Sequence, residues 1–336
     1  MDETASANLR DHPAVHAWTR LTGAPSSPEQ VVTLKREKRS SVYRLLGVGS
    51  PNCRVIAKRA LRDKVYNERR IYEGILSNLP VSSIRYHGSI EENDSPFTWL
   101  FIEDVGADRY EPARADHRRL GCEWLGALHL AVDGKQSARH LEERGPSFYY
   151  AHLLSITATL AGVATRSSIS ADGMAVLGTI DQLCQHVQAH WGGLTDFCEP
   201  IPRTLIHGDC LPKNVHVRRT GDDAEASFFD WGGAGWGLAA TDLGLLALPH
   251  DGPQSIQPDY AAYLGRAQQR SPDLDLETTR QLAQIGQLFW ALKVIDKSLP
   301  EFDYPSPYVV SNFRLYARAL TSSMEATSWG PPPGPT

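Results

Sequence analysis

The stretch LIHGDCLPKNVHV at residues 205–217 places polar side chains between two short apolar runs. This pattern is typical of a strand, a loop and a second strand. Asp209 and Asn214 then lie on the loop, five residues apart. A loop that two strands hold in place can present a carboxylate and a carboxamide together, so it is a candidate reactive site.

A second carboxylate ends another apolar run shortly afterwards. In SFFDWGG, Asp230 closes a segment that we interpret as a further strand. An aspartate beside an acceptor hydroxyl can take its proton, and amide and carboxylate oxygens are the ligands that suit Mg²⁺. These residue types fit phosphoryl transfer, which needs a base, a metal across the phosphates and a positive charge beyond them.

Lys58 is the candidate for that positive charge. It ends the strand-like run RVIAK, and Glu68 follows ten residues later at the start of a helical pattern. A strand lysine paired to a glutamate on the next helix is held ready to bind the α- and β-phosphates. The alternative is a plain surface ion pair, which is common and weak.

The pattern of the chain changes near Glu103–Gly106. Before it, five strand-like runs accompany one helical pattern over 63–79, whereas helical periodicity prevails after it. The predicted fold class is α+β and bilobal, with a β-rich N-terminal lobe and a mainly helical C-terminal lobe. We assign the domains as an N-terminal extension (1–30), an N-lobe (31–104), a C-lobe (105–325) and a disordered tail (326–336).

The ordered set of motifs resembles the aminoglycoside phosphotransferase family over roughly residues 30–325. Its most specific part is H-G-D-x-x-x-x-N at 207–214, followed by the strand that ends in Asp230. GWGLAATDLGLL also matches a family segment in which an aspartate, here Asp242, follows a glycine. The resemblance implies the protein-kinase-like fold that this family shares with choline kinases.

The resemblance also implies roles for the residues of these motifs. Asp209 would be the catalytic base or would orient the acceptor hydroxyl, and Asn214 and Asp230 would hold Mg²⁺. Asp242 would brace the catalytic loop, and His207 would be a structural hydrogen-bonding residue. The activity implied is transfer of the γ-phosphoryl group of ATP to a hydroxyl of a small molecule.

The nucleotide would be bound by the first lobe. On the resemblance, Lys58, positioned by Glu68, would bind the phosphates of ATP. The backbone of Glu103 and Val105 would hydrogen-bond the purine.

The segment expected to cover the phosphates, residues 34–45, departs from the protein-kinase pattern because it contains no glycine. Ser40 and Ser41 would offer hydroxyls and amides there instead. This departure leaves GTP open as an alternative to ATP. It is also the one feature that favours a kinase-like nucleotide-binding regulatory protein without turnover.

The acceptor is a small hydroxylated molecule that no motif names. Residues 1–104 carry 15 basic and 13 acidic residues, so the rest of the chain holds the net negative charge. That charge suits a cationic acceptor such as an aminoglycoside, in resistance, self-protection or biosynthesis. The candidate carboxylates include Asp251, Asp259, Asp296, Glu301 and Asp303. A macrolide, a nucleoside, a sugar or choline fits the same core motifs. Phe148–Tyr150 and Trp236 are candidate acceptor contacts, because flat rings suit ring-bearing molecules.

Composition and missing motifs exclude several classes of protein and favour a cytoplasmic location. The net charge of −5 argues against a general nucleic-acid binder, and no run reaches the roughly 18 apolar residues of a membrane span. Five cysteines without a C-x-x-C pair favour reduced thiols and a cytoplasmic protein. The sequence shows neither a G-x-S-x-G nucleophile motif nor a glycine–lysine P-loop. Oligomeric state is left open.

Four residues between 184 and 198 are of the types that bind zinc. They are Cys184, His186, His190 and Cys198. His186 and His190 share one helical face, but Cys184 lies only two residues before His186 and points elsewhere. We therefore predict that this cluster is structural.

Overall fold

The computed structural model describes residues 9–48, 53–106, 108–132, 141–163, 169–221, 223–248, 256–269, 271–303 and 306–325. The chain divides into two compact units, Met1–Arg109 with Val215–Ala234, and Tyr110–Asn214 with Gly235–Thr336. The tail predicted at 326–336 lies outside the described residues.

The strands are short and antiparallel pairing predominates. They are β1 (Gln30–Arg36), β2 (Ser40–Leu46), β3 (Arg54–Leu61), β4 (Tyr86–Glu91), β5 (Phe97–Glu103), β6 (Glu143–Arg144), β7 (Arg203–Ile206), β8 (Val215–Thr220), β9 (Asp223–Phe228) and β10 (Gly235–Leu238). The first unit contains the sheet β1-β2-β3-β5-β4 and the hairpin β8-β9, and the second contains β6-β10-β7.

The helices lie mostly in the second unit. They are α1 (Pro13–Thr22), α2 (Arg62–Gly74), α3 (Ala115–Ala131), α4 (Pro146–Val163), α5 (Ala171–Ala189), α6 (Trp191–Cys198), α7 (Tyr260–Ala267), α8 (Leu276–Ser298) and α9 (Pro307–Glu325). A five-stranded antiparallel sheet followed by a mainly helical region confirms the predicted α+β class. Among the described residues, no helix combines the length and apolar character that a membrane span requires.

The five-stranded sheet has two different faces because successive side chains of a strand point to opposite sides. Ala57 of β3 and Phe101 of β5 pair in register and belong to the buried cluster that includes Trp18 of α1. Lys58, the next residue of β3, therefore lies on the other face, where it is paired in register with Leu100. This alternation separates the hydrophobic core beneath α1 from the face that carries Lys58.

In the second unit, α8 is fixed by backbone contact. A Cβ atom at Gly286 would collide with the carbonyl of Thr241, and one at Gly244 with that of Ala283. Glycine is required at both places because the backbones approach too closely for any side chain. The helix is thereby held against the segment that carries Asp242.

One helical boundary differs from the prediction. The helix expected over 63–79 ends at Gly74, and a short 3₁₀ turn follows at Leu76–Asn78. Leu79 is extended, as expected of a residue before proline.

Candidate active site

In the first unit, the structure brings Lys58, Glu68 and Asp230 together. The Nζ atom of Lys58 lies 2.7 Å from Oε2 of Glu68 and 2.6 Å from Oδ1 of Asp230. β3 supplies the lysine, the first turns of α2 supply the glutamate, and Asp230 follows β9. The side chain of Glu68 is 1% exposed and that of Asp230 is 46% exposed, so only one of the two carboxylates is open to solvent.

The electrostatics of this cluster keep Lys58 charged. Burial by itself would lower the pKa of Lys58, but the carboxylates of Glu68 and Asp230 raise it above the usual lysine value. Burial raises the pKa of Glu68 and Asp230 adds to that effect, while Lys58 opposes both. The lysine is therefore a fixed cation, and its position is set by a buried partner rather than by solvent.

Asp230 has an uncommon backbone conformation. Its φ and ψ angles are 67° and 57°, in the left-handed region that non-glycine residues rarely adopt. Asn67 of α2 holds the segment that follows, because its Nδ2 atom donates to the carbonyls of Trp231 at 3.4 Å and Ala234 at 3.2 Å. Strain of this kind persists where surrounding contacts hold the backbone, and it is common at functional sites.

Glu103 and Val105 lie where β5 ends. The N–H of Glu103 donates to the carbonyl of Arg85 at 2.8 Å, and that of Asp104 donates to the carbonyl of Arg54 at 3.2 Å. The N–H of Arg85 donates to Oε2 of Glu103 at 3.2 Å rather than to its carbonyl. The carbonyl of Glu103 is therefore not the acceptor of this N–H, and its contact with the purine stays a prediction.

Ser40 and Ser41 begin β2, but their side chains point to opposite faces of the sheet. Ser40 pairs in register with Ala60, two residues from Lys58, and so lies on the lysine face. Ser41 pairs with Arg59 and is buried on the other face. Of the two predicted hydroxyls, the structure brings only that of Ser40 to the face of Lys58.

In the second unit, Asp209 and Asn214 form one local network. Nδ2 of Asn214 donates to the carbonyl of Asp209 at 2.8 Å and to its Oδ2 atom at 3.1 Å. Asn214 is buried, whereas the side chain of Asp209 is 26% exposed. Nζ of Lys213 lies 3.9 Å from Oδ2 of Asp209, but this lysine is 67% exposed, so the pair is weak. The carboxylate is thus oriented by Asn214 and partly open to solvent.

Asp242 braces the start of this loop. Its Oδ2 atom accepts the N–H of His207 at 2.6 Å, and its Oδ1 atom accepts that of Gly208 at 2.9 Å. Burial by itself would raise the pKa of Asp242, but the interactions with His129 and His207 outweigh it and hold the pKa below its usual value. Gly208 has a φ of 68°, a conformation that favours glycine.

We expect Asp242→Ala to lower the free energy of unfolding by about 3 kcal/mol, because two buried N–H groups lose their acceptor. Urea denaturation at pH 7 measures this, and Asp273→Ala, at an exposed position, is the matched control. A loss no larger than that of the control would contradict the bracing role.

The stabilisation by Asp242 also has a defined pH dependence. A carboxyl whose folded pKa is depressed stabilises the fold above its unfolded pKa of about 4. That stability is lost as the pH falls through the folded pKa. The difference between wild type and Asp242→Ala is therefore expected to shrink below about pH 4.

Lys293 of α8 is a site residue that the motifs do not include. It is 8% exposed, and its Nζ atom donates to the carbonyl of Gly208, the residue before Asp209. The signal in the sequence is a lysine inside the apolar run LFWALKVI. A basic residue within an apolar helical stretch is unusual, because charged side chains are rarely buried.

The aromatic residues predicted to contact the acceptor differ in how deeply they are buried. Tyr149 is buried and stacks on Phe289 with ring centroids 4.1 Å apart. Phe148 lies beneath the guanidinium of Arg144, which is 4.2 Å from its ring centroid. Trp236, on β10, is partly exposed. Tyr149 is therefore a core residue, and Phe148, Tyr150 and Trp236 are the more accessible rings.

Two of the acidic residues considered for a cationic acceptor have structural partners. Asp259 caps α7 by accepting the N–H of Ala262 at 3.0 Å. Asp296 lies 2.6 Å from Nδ1 of His152. Asp251 and the side chain of Asp303 lie outside the described residues.

The architecture defines a protein-kinase-like fold, and solved structures are similar to it. A spectinomycin phosphotransferase in complex with ADP and spectinomycin is 10% identical, with 89% of this chain and 94% of that chain covered and a TM-score of 0.59. A Plasmodium vivax ethanolamine kinase is 14% identical, with 89% and 83% covered and a TM-score of 0.59. The GDP and kanamycin complex of APH(2")-IIia is 12% identical, with 91% and 97% covered and a TM-score of 0.60. At these identities the similarity shows the fold.

The sequence itself identifies the family. Residues 34–284 match the profile of the phosphotransferase enzyme family, APH, which spans well over half of the chain. The protein therefore belongs to this family and is a small-molecule phosphotransferase, as the motifs predict. No curated protein matches the sequence.

Proposed function

We propose that the protein is an ATP- and Mg²⁺-dependent O-phosphotransferase that moves the γ-phosphoryl group to a hydroxyl of a small molecule. The observation that carries this proposal is the ammonium of Lys58, held at 2.7 Å by buried Glu68 and at 2.6 Å by Asp230. A fixed cation of this kind neutralises phosphate charge without reorganising during the reaction.

The first unit would bind the nucleotide. Lys58 contacts the phosphates, Glu68 positions it, and the backbone of Glu103 and Val105 hydrogen-bonds the purine. Ser40, which shares the face of Lys58, supplies a hydroxyl to the phosphates, while Ser41 contributes through its backbone amide. ATP is the proposed donor, and GTP is the alternative because the covering segment has no glycine.

The available side chains fit Mg²⁺. Asp230 is partly exposed and supplies a carboxylate. The Nδ2 atom of Asn214 is engaged by Asp209, which leaves its amide oxygen as the ligand atom. Hard oxygens of this type are what Mg²⁺ prefers, so Asp230 and Asn214 would hold it. When bound there, the ion would neutralise charge on the phosphates.

Asp209 would act on the acceptor. Its carboxylate is open to solvent on one side and oriented by Asn214 on the other. It accepts the proton of the acceptor hydroxyl as the oxygen attacks phosphorus in line, or it orients that hydroxyl for attack. Asp242 keeps the loop in the conformation that presents it.

For the acceptor, we propose an antibiotic or related natural product, with an aminoglycoside-like molecule as the first candidate. The net negative charge outside residues 1–104 supports a cationic acceptor. The structural partners of Asp259 and Asp296 weaken that support, since neither carboxylate is freely available. Sugars, nucleosides and choline-type molecules are the alternatives. The proposed setting is cytoplasmic, in resistance, self-protection or biosynthesis.

The proposal is tested by incubating the protein with Mg²⁺-ATP and a panel of hydroxylated antibiotics, nucleosides, sugars and choline. Asp209→Asn is run in parallel, and mass spectrometry reads a mass gain of one phosphoryl group. A product that the variant does not form supports the transferase and names the acceptor class. Nucleotide binding without transfer to any panel member or to water would favour the regulatory protein instead.

Lys58→Ala is expected to raise the KM for ATP by about tenfold or more, because the phosphates lose a charge-assisted contact. Kinetics with the acceptor that the panel identifies measure this, and a nucleotide-binding titration measures it without an acceptor. Lys64→Ala, at an exposed position on α2, is the control and should leave the KM unchanged. An unaltered KM in Lys58→Ala would place Lys58 outside the nucleotide site.

A further inference from the structure

Lys293 is a buried cation that the proposed chemistry does not use. It lies on α8 and is 8% exposed, and its Nζ atom donates to the carbonyl of Gly208. Within the described part of the chain, no carboxylate lies within ion-pair distance of this Nζ atom. Burying an ammonium without an ion-pair partner destabilises a fold. A hydrophobic side chain would serve packing better, so packing does not account for this lysine.

The position of Lys293 follows from the contact that fixes α8. Gly286 packs against the backbone of Thr241 so closely that no side chain fits. Lys293 lies two helical turns further along the same face, since residues seven apart align on a helix. The contact at Gly286 therefore sets where the ammonium can reach, and it reaches the loop that begins with His207 and Gly208.

The two groups of the Gly208 backbone are held from different sides. Its N–H donates to Oδ1 of Asp242 at 2.9 Å, and its carbonyl accepts from Nζ of Lys293. That carbonyl belongs to the peptide bond that joins Gly208 to Asp209. Asp242 thus fixes the His207–Gly208 peptide, and Lys293 restricts the rotation of the Gly208–Asp209 peptide plane directly before the proposed base.

We propose that Lys293 is a positioning residue for Asp209, in which its ammonium holds the Gly208 carbonyl and so orients the carboxylate toward the acceptor. This inference rests on the proposed function, in which Asp209 acts on the acceptor hydroxyl. Lys293 does not itself contact the reacting atoms in this scheme. Its effect passes through the Gly208–Asp209 peptide.

The charged groups around Lys293 make its hydrogen bond to the Gly208 carbonyl sensitive to pH. Asp209 and Asp242 face it from the loops and favour the ammonium, while Lys297 on α8 and Arg144, which precedes α4, disfavour it. Burial has the largest effect and lowers the pKa of Lys293 to about 8. As the pH rises through this value, the ammonium loses its proton and its hydrogen bond to the carbonyl weakens.

Hydrogen exchange measures this positioning without an acceptor or turnover. The full-length protein is compared with Lys293→Met, Lys293→Arg and, as the matched control on the same helix, Lys297→Met. Protection of the amides in residues 207–214 is followed by mass spectrometry at pH 7 and pH 9, after correction for intrinsic exchange. Circular dichroism confirms that each variant is folded.

At pH 7 we expect Lys293→Met to lose about tenfold protection in this segment, while Lys293→Arg and Lys297→Met keep wild-type protection. At pH 9 the wild type should approach Lys293→Met, whereas Lys293→Arg, which stays charged, should remain protected. Wild-type protection in Lys293→Met would overturn the proposal. The same pH dependence in wild type and Lys293→Arg would also overturn it. This second comparison tests the proposal even if Lys293→Met fails to fold.

Kinetics give a second, separate readout once an acceptor is known. Lys293→Met is expected to lower kcat by about 10- to 100-fold and to leave the KM for ATP within about twofold, because the nucleotide is bound elsewhere. Lys293→Arg should recover most of the loss. An unchanged kcat in Lys293→Met would contradict the positioning of Asp209 by Lys293. The proposed function itself is tested separately, by the loss of turnover in Asp209→Asn.

Discussion

Asp209→Asn is expected to lower turnover by about three to four orders of magnitude while changing ATP affinity by less than about threefold. The amide has nearly the shape of the carboxylate but cannot accept the acceptor proton. The hydrogen bonds from Asn214 and the brace from Asp242 act mainly on the backbone of the loop, so its conformation should persist. The loss should therefore appear in kcat and not in nucleotide binding.

Two measurements separate this expectation from a folding defect. Product formation is followed by mass spectrometry, and ATP binding is followed by titration calorimetry in the presence of Mg²⁺. Asp196→Asn, an exposed aspartate on α6, is the matched control and should retain wild-type values for both. If Asp209→Asn keeps wild-type turnover, Asp209 is neither the base nor the residue that orients the hydroxyl.

Asp230→Ala is expected to abolish the Mg²⁺-dependent part of nucleotide binding, a loss of about 100-fold or more in affinity. The substitution removes the proposed metal carboxylate. It also removes one of the two anionic partners of Lys58, which then contacts Glu68 alone. Both changes weaken the binding of phosphates, so the effect should exceed that of Lys58→Ala.

The direct readout is the shift in melting temperature produced by ATP with Mg²⁺ and with EDTA. Wild type should show a larger shift with Mg²⁺, and Asp230→Ala should show the same small shift in both. Asp223→Ala, at the exposed start of β9, controls for loss of a carboxylate from the same hairpin. A wild-type Mg²⁺ response in Asp230→Ala would remove Asp230 from the metal site.

The sequence predicted the features that depend on local patterns. The alternation of apolar residues in β2 and β3 identifies strands, and it also places Lys58 opposite the face of Ala57 once the register is known. The loop with Asp209 and Asn214 was recognisable because its spacing is short and lies between two apolar runs. The brace by Asp242 came from the family resemblance, and the structure shows its two hydrogen bonds.

Features that depend on contacts distant in sequence were not predictable. Lys293 and Gly208 are 85 residues apart, and no local pattern indicates that they meet. Asn67, which holds the segment that follows the left-handed Asp230, is also far away in the chain. Ser41 looked equivalent to Ser40 because the sequence does not state which residue of a pair faces the lysine. That choice is made by the register of β2 against β3.

The close packing at Gly286 has a consequence for changing the acceptor range by directed evolution. Any side chain at this position would displace α8 from Thr241 and would carry Lys293 away from the loop with it. Gly244 has the same constraint against Ala283. A mutagenesis library would therefore lose nearly every variant at these two glycines, whatever acceptor is selected. Diversity is better placed at accessible positions such as Phe148 and Trp236, where a new side chain can alter contacts without moving the helix.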